Sequence, residues 1–193
     1  MSSHLFSTVP SAQGLYDPAN ETDSCGVAMV ATLNKVATHE IVSQALTALR
    51  NLEHRGASGA EPDSGDGAGI LLRIPDAFYR AVVDFTLPES SKYATGIGFI
   101  GADFSEMDKI SKVAEEEGLT VLGWRELPIN STSLGKTAVS VMPKFQQLFL
   151  AGKNGESDLD LDRLAFCFRK RVEHSCAIYF PSLSTRTIVY KGM

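Results

Sequence analysis

The sequence predicts an α+β protein, because strand-length apolar runs alternate with stretches of helical periodicity along most of the chain. Composition agrees: apolar residues make up 44% and charged residues 21% of 193, ordinary globular usage with enough apolar surface for a core. That length fits one large domain or two small ones, at roughly 100–200 residues per domain. The formal charge is −5 and no Lys/Arg run stands out, so a nucleic-acid partner is not expected. No apolar stretch approaches the roughly 20 residues that cross a bilayer, so no membrane partner is expected either. Residues 1–24 lack the basic start and apolar centre of a secretory signal, which makes the cytoplasm the expected location.

The elements follow in order. Residues 1–24 carry Pro10, Gly14, Pro18, Asn20 and Asp23 among polar neighbours and read as an extended leader. Order is expected from Cys25, where the apolar, partly β-branched run of residues 26–33 has the pattern of a strand covered on both faces. Ile41, Ala45, Leu46, Ala48, Leu49 and Leu52 recur at spacings of three and four, predicting a helix over residues 39–54 that Arg55-Gly56 stops. Residues 56–69 are a glycine-rich loop. Residues 70–74 then read as a strand, with Pro75 suited to the first turn of a short helix through Val83.

A strand over 94–101, a helix from a Ser105 cap to Glu117 stopped by Gly118, and a strand over 120–127 form a β-α-β piece. Residues 138–150 read as strand material broken at Pro143. A helix over 159–173 carries Arg169, Lys170 and Arg171 near its C-terminal end, where the helix dipole favours cations. Residues 176–180 and 187–190 close the chain as two strands, and the apolar strand running to Met193 is expected to continue into a longer polypeptide.

Candidate chemistry narrows quickly. Gly96–Gly101 spells a GxGxxG string, but the glycines lie inside a strand, so close packing is the better reading than nucleotide binding. Gly65–Gly69 lacks the Lys-Ser/Thr of a phosphate loop and reads as a tight turn. The cysteines Cys25, Cys167 and Cys176 form no CxxC pair and the four histidines no HExxH, so no disulfide framework, zinc site or other metal site is proposed.

Cys25 stands apart because it joins a polar leader to the first apolar run. Cleavage between Ser24 and Cys25 would put a thiol and a free α-amine on one residue. That amine has a pKa of about 7.7–8.0 and can serve as a base near neutrality, whereas an amide nitrogen cannot. Two other readings stay open on the residues alone: an inert cysteine at a strand start, and a Cys–His pair with His54 or His174.

Several separated motifs then point the same way. Leu15-Tyr16-Asp17-Pro18, Asp23-Ser24-Cys25-Gly26-Val27, Leu52-Glu53-His54-Arg55-Gly56-Ala57 and Gly65-Asp66-Gly67-Ala68-Gly69-Ile70 occur in sequence. With Val121-Leu122-Gly123-Trp124-Arg125 and residues 184–193 (STRTIVYKGM), the series resembles the front of glutamate synthase large subunits. The resemblance spans essentially the whole chain. It implies a class II glutamine amidotransferase domain of the N-terminal-nucleophile hydrolase fold, a four-layer αββα sandwich that is incomplete in this segment.

It also implies that residues 1–24 are a propeptide, that Ser24 and Cys25 flank the processing site, and that Cys25 is the nucleophile attacking L-glutamine. Arg55, in the His-Arg-Gly motif, is implied to orient the mature N-terminus; its plainer role is a charge at a helix C-terminus. Ala28 and Thr22 depart from residues frequent in the family, without removing chemistry. The family's oxyanion-hole and substrate-gripping residues are implied to lie beyond Met193, so the segment alone is expected to be inactive.

No cofactor is expected in this segment. The resemblance implies FMN and an iron–sulfur cluster in the rest of the large subunit, whose FMN barrel domain aminates 2-oxoglutarate. FAD and NADPH are implied for a small partner subunit. The alternatives are another N-terminal-nucleophile amidohydrolase or amidotransferase, or a noncatalytic docking module.

Overall fold

The computed structural model describes residues 11–15, 17, 26–34, 36–56, 63, 65, 67–101 and 106–192. Its helices are α1 (His39–Asn51), α2 (Asp76–Val82), α3 (Met107–Glu116), α4 (Lys136–Val141) and α5 (Asp158–Ser175). Its strands are β1 (Ala68–Arg73), β2 (Ala94–Ile100), β3 (Leu119–Glu126), β4 (Lys144–Gly152), β5 (Ile178–Tyr179) and β6 (Thr187–Gly192). The fold is α+β, with antiparallel pairing throughout both sheets: one orders β3-β4-β2-β5 and the other pairs β1 with β6.

The alternation of side chains along a strand sends successive residues to opposite faces. On β4, Leu148 and Leu150 face α3 and α5, joining Ile110, Val113, Leu161, Ala165, Phe168 and Val172 in one core. Phe149 belongs to a second core with Tyr79, Tyr93, Ile97 and Ile188, against which Leu72 and Tyr190 of the two-stranded sheet pack. The four-stranded sheet therefore has helices on one face and β1–β6 on the other, which is why β2 and β4 are apolar on both faces.

The expected β-α-β piece is present, but β4 lies between its strands. Because β2 and β3 each run antiparallel to β4, they are parallel to each other without touching. The glycine-string reading also holds in atomic terms. A Cβ on Gly96 would lie 2.1 Å from the Ser182 carbonyl oxygen, and one on Gly98 would lie 2.8 Å from Ile178 Cδ1. Gly118 ends α3 at φ +74°, a conformation glycine adopts without a Cβ penalty.

Three expectations need correction. Residues 26–33 form no strand: Val27, Met29 and Leu33 are 87%, 95% and 101% exposed, and no strand pairs with them. Strand propensity expresses itself only where a neighbour supplies the ladder hydrogen bonds. The first part of 138–150 is helical, not extended: α4 occupies Lys136–Val141, with Ala138 buried. Pro143 does act as the break, since Met142 before it is held extended at φ −63°, ψ 123°. Pro75 sits just outside α2, at its N-cap. Ser105, the expected cap of α3, lies outside the described residues.

Glu173 near the end of α5 ties the helix to the chain that follows. Its side chain, 14% exposed, accepts from Arg169 Nε at 3.1 Å, Lys170 Nζ at 3.1 Å and the Phe180 amide at 3.2 Å. Burial alone would raise its pKa, but these donors outweigh it and hold the carboxyl below its usual range. Asp76, bonded by Arg80 and Tyr93, is lowered as well.

Both groups contribute stability that is complete above the unfolded carboxylate range, about pH 4, and lost as pH falls through the lowered native values. Unfolding in urea between about pH 3 and 6 should show stability dropping toward acid, with a shallower drop in Glu173→Gln. Equal acid slopes in the two proteins would refute the assignment to Glu173.

Candidate functional site

The described motif residues lie along the chain between the end of α1 and the start of β1. Leu52 ends α1, and the chain makes a 3-10 turn over Glu53–Arg55 before Gly56 resumes extended backbone. Arg55 thus lies past the last turn of α1, where Arg50 supplies the basic charge. His54 points back, its Nδ1 lying 3.1 Å from the Asn51 carbonyl oxygen. Gly67 follows at φ +91°, and β1 begins one residue later.

Gly69 pairs across the sheet with Lys191, and a Cβ there would lie 2.9 Å from the Tyr190 carbonyl oxygen. The glycines at positions 67 and 69 therefore serve a turn and a close strand approach. Cys25 and Ser24 lie outside the described residues. Cys167 is exposed on α5 and Cys176 is half-buried just after it.

Beside β1 opens an apolar groove of about 640 Å³. Leu49 of α1, Ala68 to Ile70 of β1, Ile97 and Phe99 of β2, Phe145 of β4, and Val141 of α4 wall it. Asn130, Tyr190 and Lys191 are the polar residues of its lining. Tyr190 is held by a 2.9 Å hydroxyl–hydroxyl hydrogen bond to Tyr79, whose own pKa burial pushes well up. Lys191 holds its ammonium 5.1 Å from the Tyr179 ring centroid and 5.8 Å from that of Phe99.

Behind Tyr79, Gln147 is fully buried, donates to Thr95 Oγ1 at 3.0 Å and accepts from Arg125 at 3.1 Å. This side-chain network fixes the floor between the two sheets. Sequence reasoning missed it, since Tyr79 and Tyr190 are 111 positions apart and neither lies in a local pattern.

Among the described residues, no group of three His, Cys, Asp or Glu side chains is placed to hold a metal ion. No helix among them is long and apolar enough to cross a membrane.

Comparison with known families decides what the motif series means. The model of class-II glutamine amidotransferases matches residues 25–193. The chain belongs to the class-II glutamine amidotransferases. It is 41% identical over 199 residues to the large chain of an NADPH glutamate synthase of Bacillus subtilis, covering 97% of this chain and 13% of that one.

A ferredoxin-dependent glutamate synthase of Arabidopsis thaliana is 39% identical over 198 residues, covering 95% of this chain and 12% of that protein. An NADH glutamate synthase of Schizosaccharomyces pombe is 37% identical over 201 residues, covering 95% and 10% respectively. This amidotransferase chain thus spans only 10–13% of the length of these three relatives. The match to the family begins at Cys25, with the motif residues Arg55 and Gly65–Gly69 inside it.

Proposed function

We propose that this chain is the front of the glutaminase domain of a glutamate synthase, hydrolysing L-glutamine with Cys25 as an N-terminal nucleophile. The observation that carries this reading is the family match starting at residue 25, the residue that separates leader from apolar run. In the proposed reaction the Cys25 thiolate attacks the side-chain amide carbon of glutamine. The α-amine freed by loss of residues 1–24 moves the proton to departing ammonia. Water activated by the same amine then hydrolyses the γ-glutamyl thioester to glutamate. Arg55, in the 3-10 turn that follows α1, would orient that amine.

The finer architecture proposed is the αββα sandwich, supported by the two sheets sharing a core and by α3 and α5 covering the far face of the larger one. In the longer protein, ammonia would pass to a domain that aminates 2-oxoglutarate, with FMN and an iron–sulfur cluster held there. Cysteines at 25, 167 and 176 do not make a four-thiolate set. A small subunit and a cytoplasmic setting complete the proposal. The relatives' names carry three electron donors, NADPH, ferredoxin and NADH, and the reading holds for each.

The test is intact mass of active full-length enzyme. The expected mass corresponds to a chain starting at Cys25; active enzyme that retains residues 1–24 would overturn the nucleophile assignment.

A further inference from the structure

The turn that joins β4 to α5 carries the one asparagine of the sequence that is followed by a glycine, Asn154-Gly155. Asn154 is exposed, and Gly155 sits at φ +78°, where a side chain would meet only open space. The Gly155 N–H donates to the Gly152 carbonyl oxygen at 3.4 Å, beyond the usual hydrogen-bond range, so this nitrogen is lightly held. Glu156 reaches back over the turn. One of its carboxylate oxygens accepts from the Asn154 backbone N–H at 2.9 Å and the other from Asn154 Nδ2 at 3.0 Å. The bond from the Asn154 side chain is the largest cause holding the Glu156 carboxyl below its usual range, so it stays ionised at neutral pH.

We propose that Asn154 is a site of spontaneous deamidation, attacked by the Gly155 backbone nitrogen and held back by the Glu156 carboxylate. In this reaction the Gly155 nitrogen gives up its proton to solvent and bonds to Asn154 Cγ. The Cγ–Nδ2 bond breaks, the departing nitrogen takes up a proton and leaves as ammonia, and a cyclic succinimide remains. Water then cuts the ring at Cγ to leave aspartate, or at the backbone carbonyl to leave isoaspartate. One water is consumed and one ammonia released, with no oxidant or reductant.

A peptide nitrogen is a poor nucleophile while its lone pair is delocalised, so loss of its proton and free approach to Cγ limit the reaction. Glycine at 155 supplies the approach, because any other residue would put a Cβ beside the attacking nitrogen. Glu156 opposes each step. Its two charge-assisted hydrogen bonds fix the Asn154 side chain, its charge disfavours a second anion at Gly155, and an ionised carboxylate has no proton for the departing nitrogen.

The product undoes the clamp, since a carboxylate at position 154 faces that of Glu156 and the Nδ2 donor is gone. Glu156 also lies against Gly152 at the end of β4, leaving no room there for a Cβ. The next residue, Lys153, donates its N–H to the Gly118 carbonyl oxygen at 2.9 Å. Deamidation therefore loosens the junction between the end of β4 and the turn after α3.

Ageing the full-length enzyme in neutral buffer, with peptide mass spectrometry at intervals, tests this apart from catalysis. Asn154 should convert first among the asparagines. Earlier conversion of Asn130 or any other would overturn the site, as would an intact Asn154 after a free peptide of residues 150–158 has been fully consumed. Glu156→Ala should speed conversion about fivefold, the factor expected from losing a pair of exposed charge-assisted hydrogen bonds; an unchanged or slower rate would overturn the clamp. Asn154→Asp stands in for the product and should raise amide exchange at residues 153 and 154 severalfold while residues 145–150 of β4 stay protected. Unchanged exchange at both amides would overturn the loosening.

Discussion

Cys25→Ala in the full-length enzyme is expected to abolish glutamine-dependent glutamate synthesis while synthesis from free ammonia continues. Removing the nucleophile removes the thioester route altogether, so the loss should be on the order of 10⁴-fold or more in turnover. Ammonia supplied directly bypasses that step. Parallel steady-state assays with glutamine and with an ammonium salt distinguish this from a folding defect, because a misfolded enzyme would lose both activities. Unchanged glutamine use would refute the role of Cys25. Equal loss in the two assays would show that the residue supports the structure instead.

Phe149→Ala is expected to be the most damaging single core truncation. Phe149 is fully buried at the middle of the central strand β4. Its ring meets Tyr79 at 5.3 Å and Phe85 at 5.4 Å in edge-on geometry, with Tyr93 at 6.1 Å. Truncation removes the ring from the interface between the sheets and opens a cavity that β-sheet backbone on both sides cannot close. The expected cost is about 3–5 kcal/mol, a large share of the roughly 5–15 kcal/mol that stabilises ordinary proteins. Phe166 on the outer side of α5 is 56% exposed, and Phe166→Ala should change stability by no more than about 0.5 kcal/mol. Urea unfolding of both variants checks the contrast, and similar losses would show that the described cores are not where the stability resides.

Where local pattern and tertiary demand agree, the elements were legible in the residues. The stripe from Ile41 to Leu52 became α1, the apolar run at 94–101 became β2, and Gly118 stopped α3 as its backbone freedom predicts. Where a segment depends on a distant neighbour, pattern was a poorer guide. Lys136-Thr137-Ala138-Val139-Ser140-Val141 has a β-branched composition yet is helical, with Ala138 packed at the groove. Residues 26–33 carry strand propensity without a strand partner. Of the candidate site, the motif residues around Arg55 and Gly65–Gly69 were visible in the sequence, and the groove and its Tyr79–Tyr190 pair were not.

The sequence by itself determined the family and the identity of the residues proposed for chemistry, because those are properties of residue type and spacing: a cysteine where the family match begins, His-Arg-Gly after a helix, Gly-Asp-Gly before a strand. Only the tertiary structure decided that β4 separates β2 from β3, that Gln147 lies buried between Thr95 and Arg125, and that an apolar groove opens beside β1. Those facts arise from contacts between residues tens of positions apart. Their energies depend on which surfaces meet, and a local pattern carries no record of that.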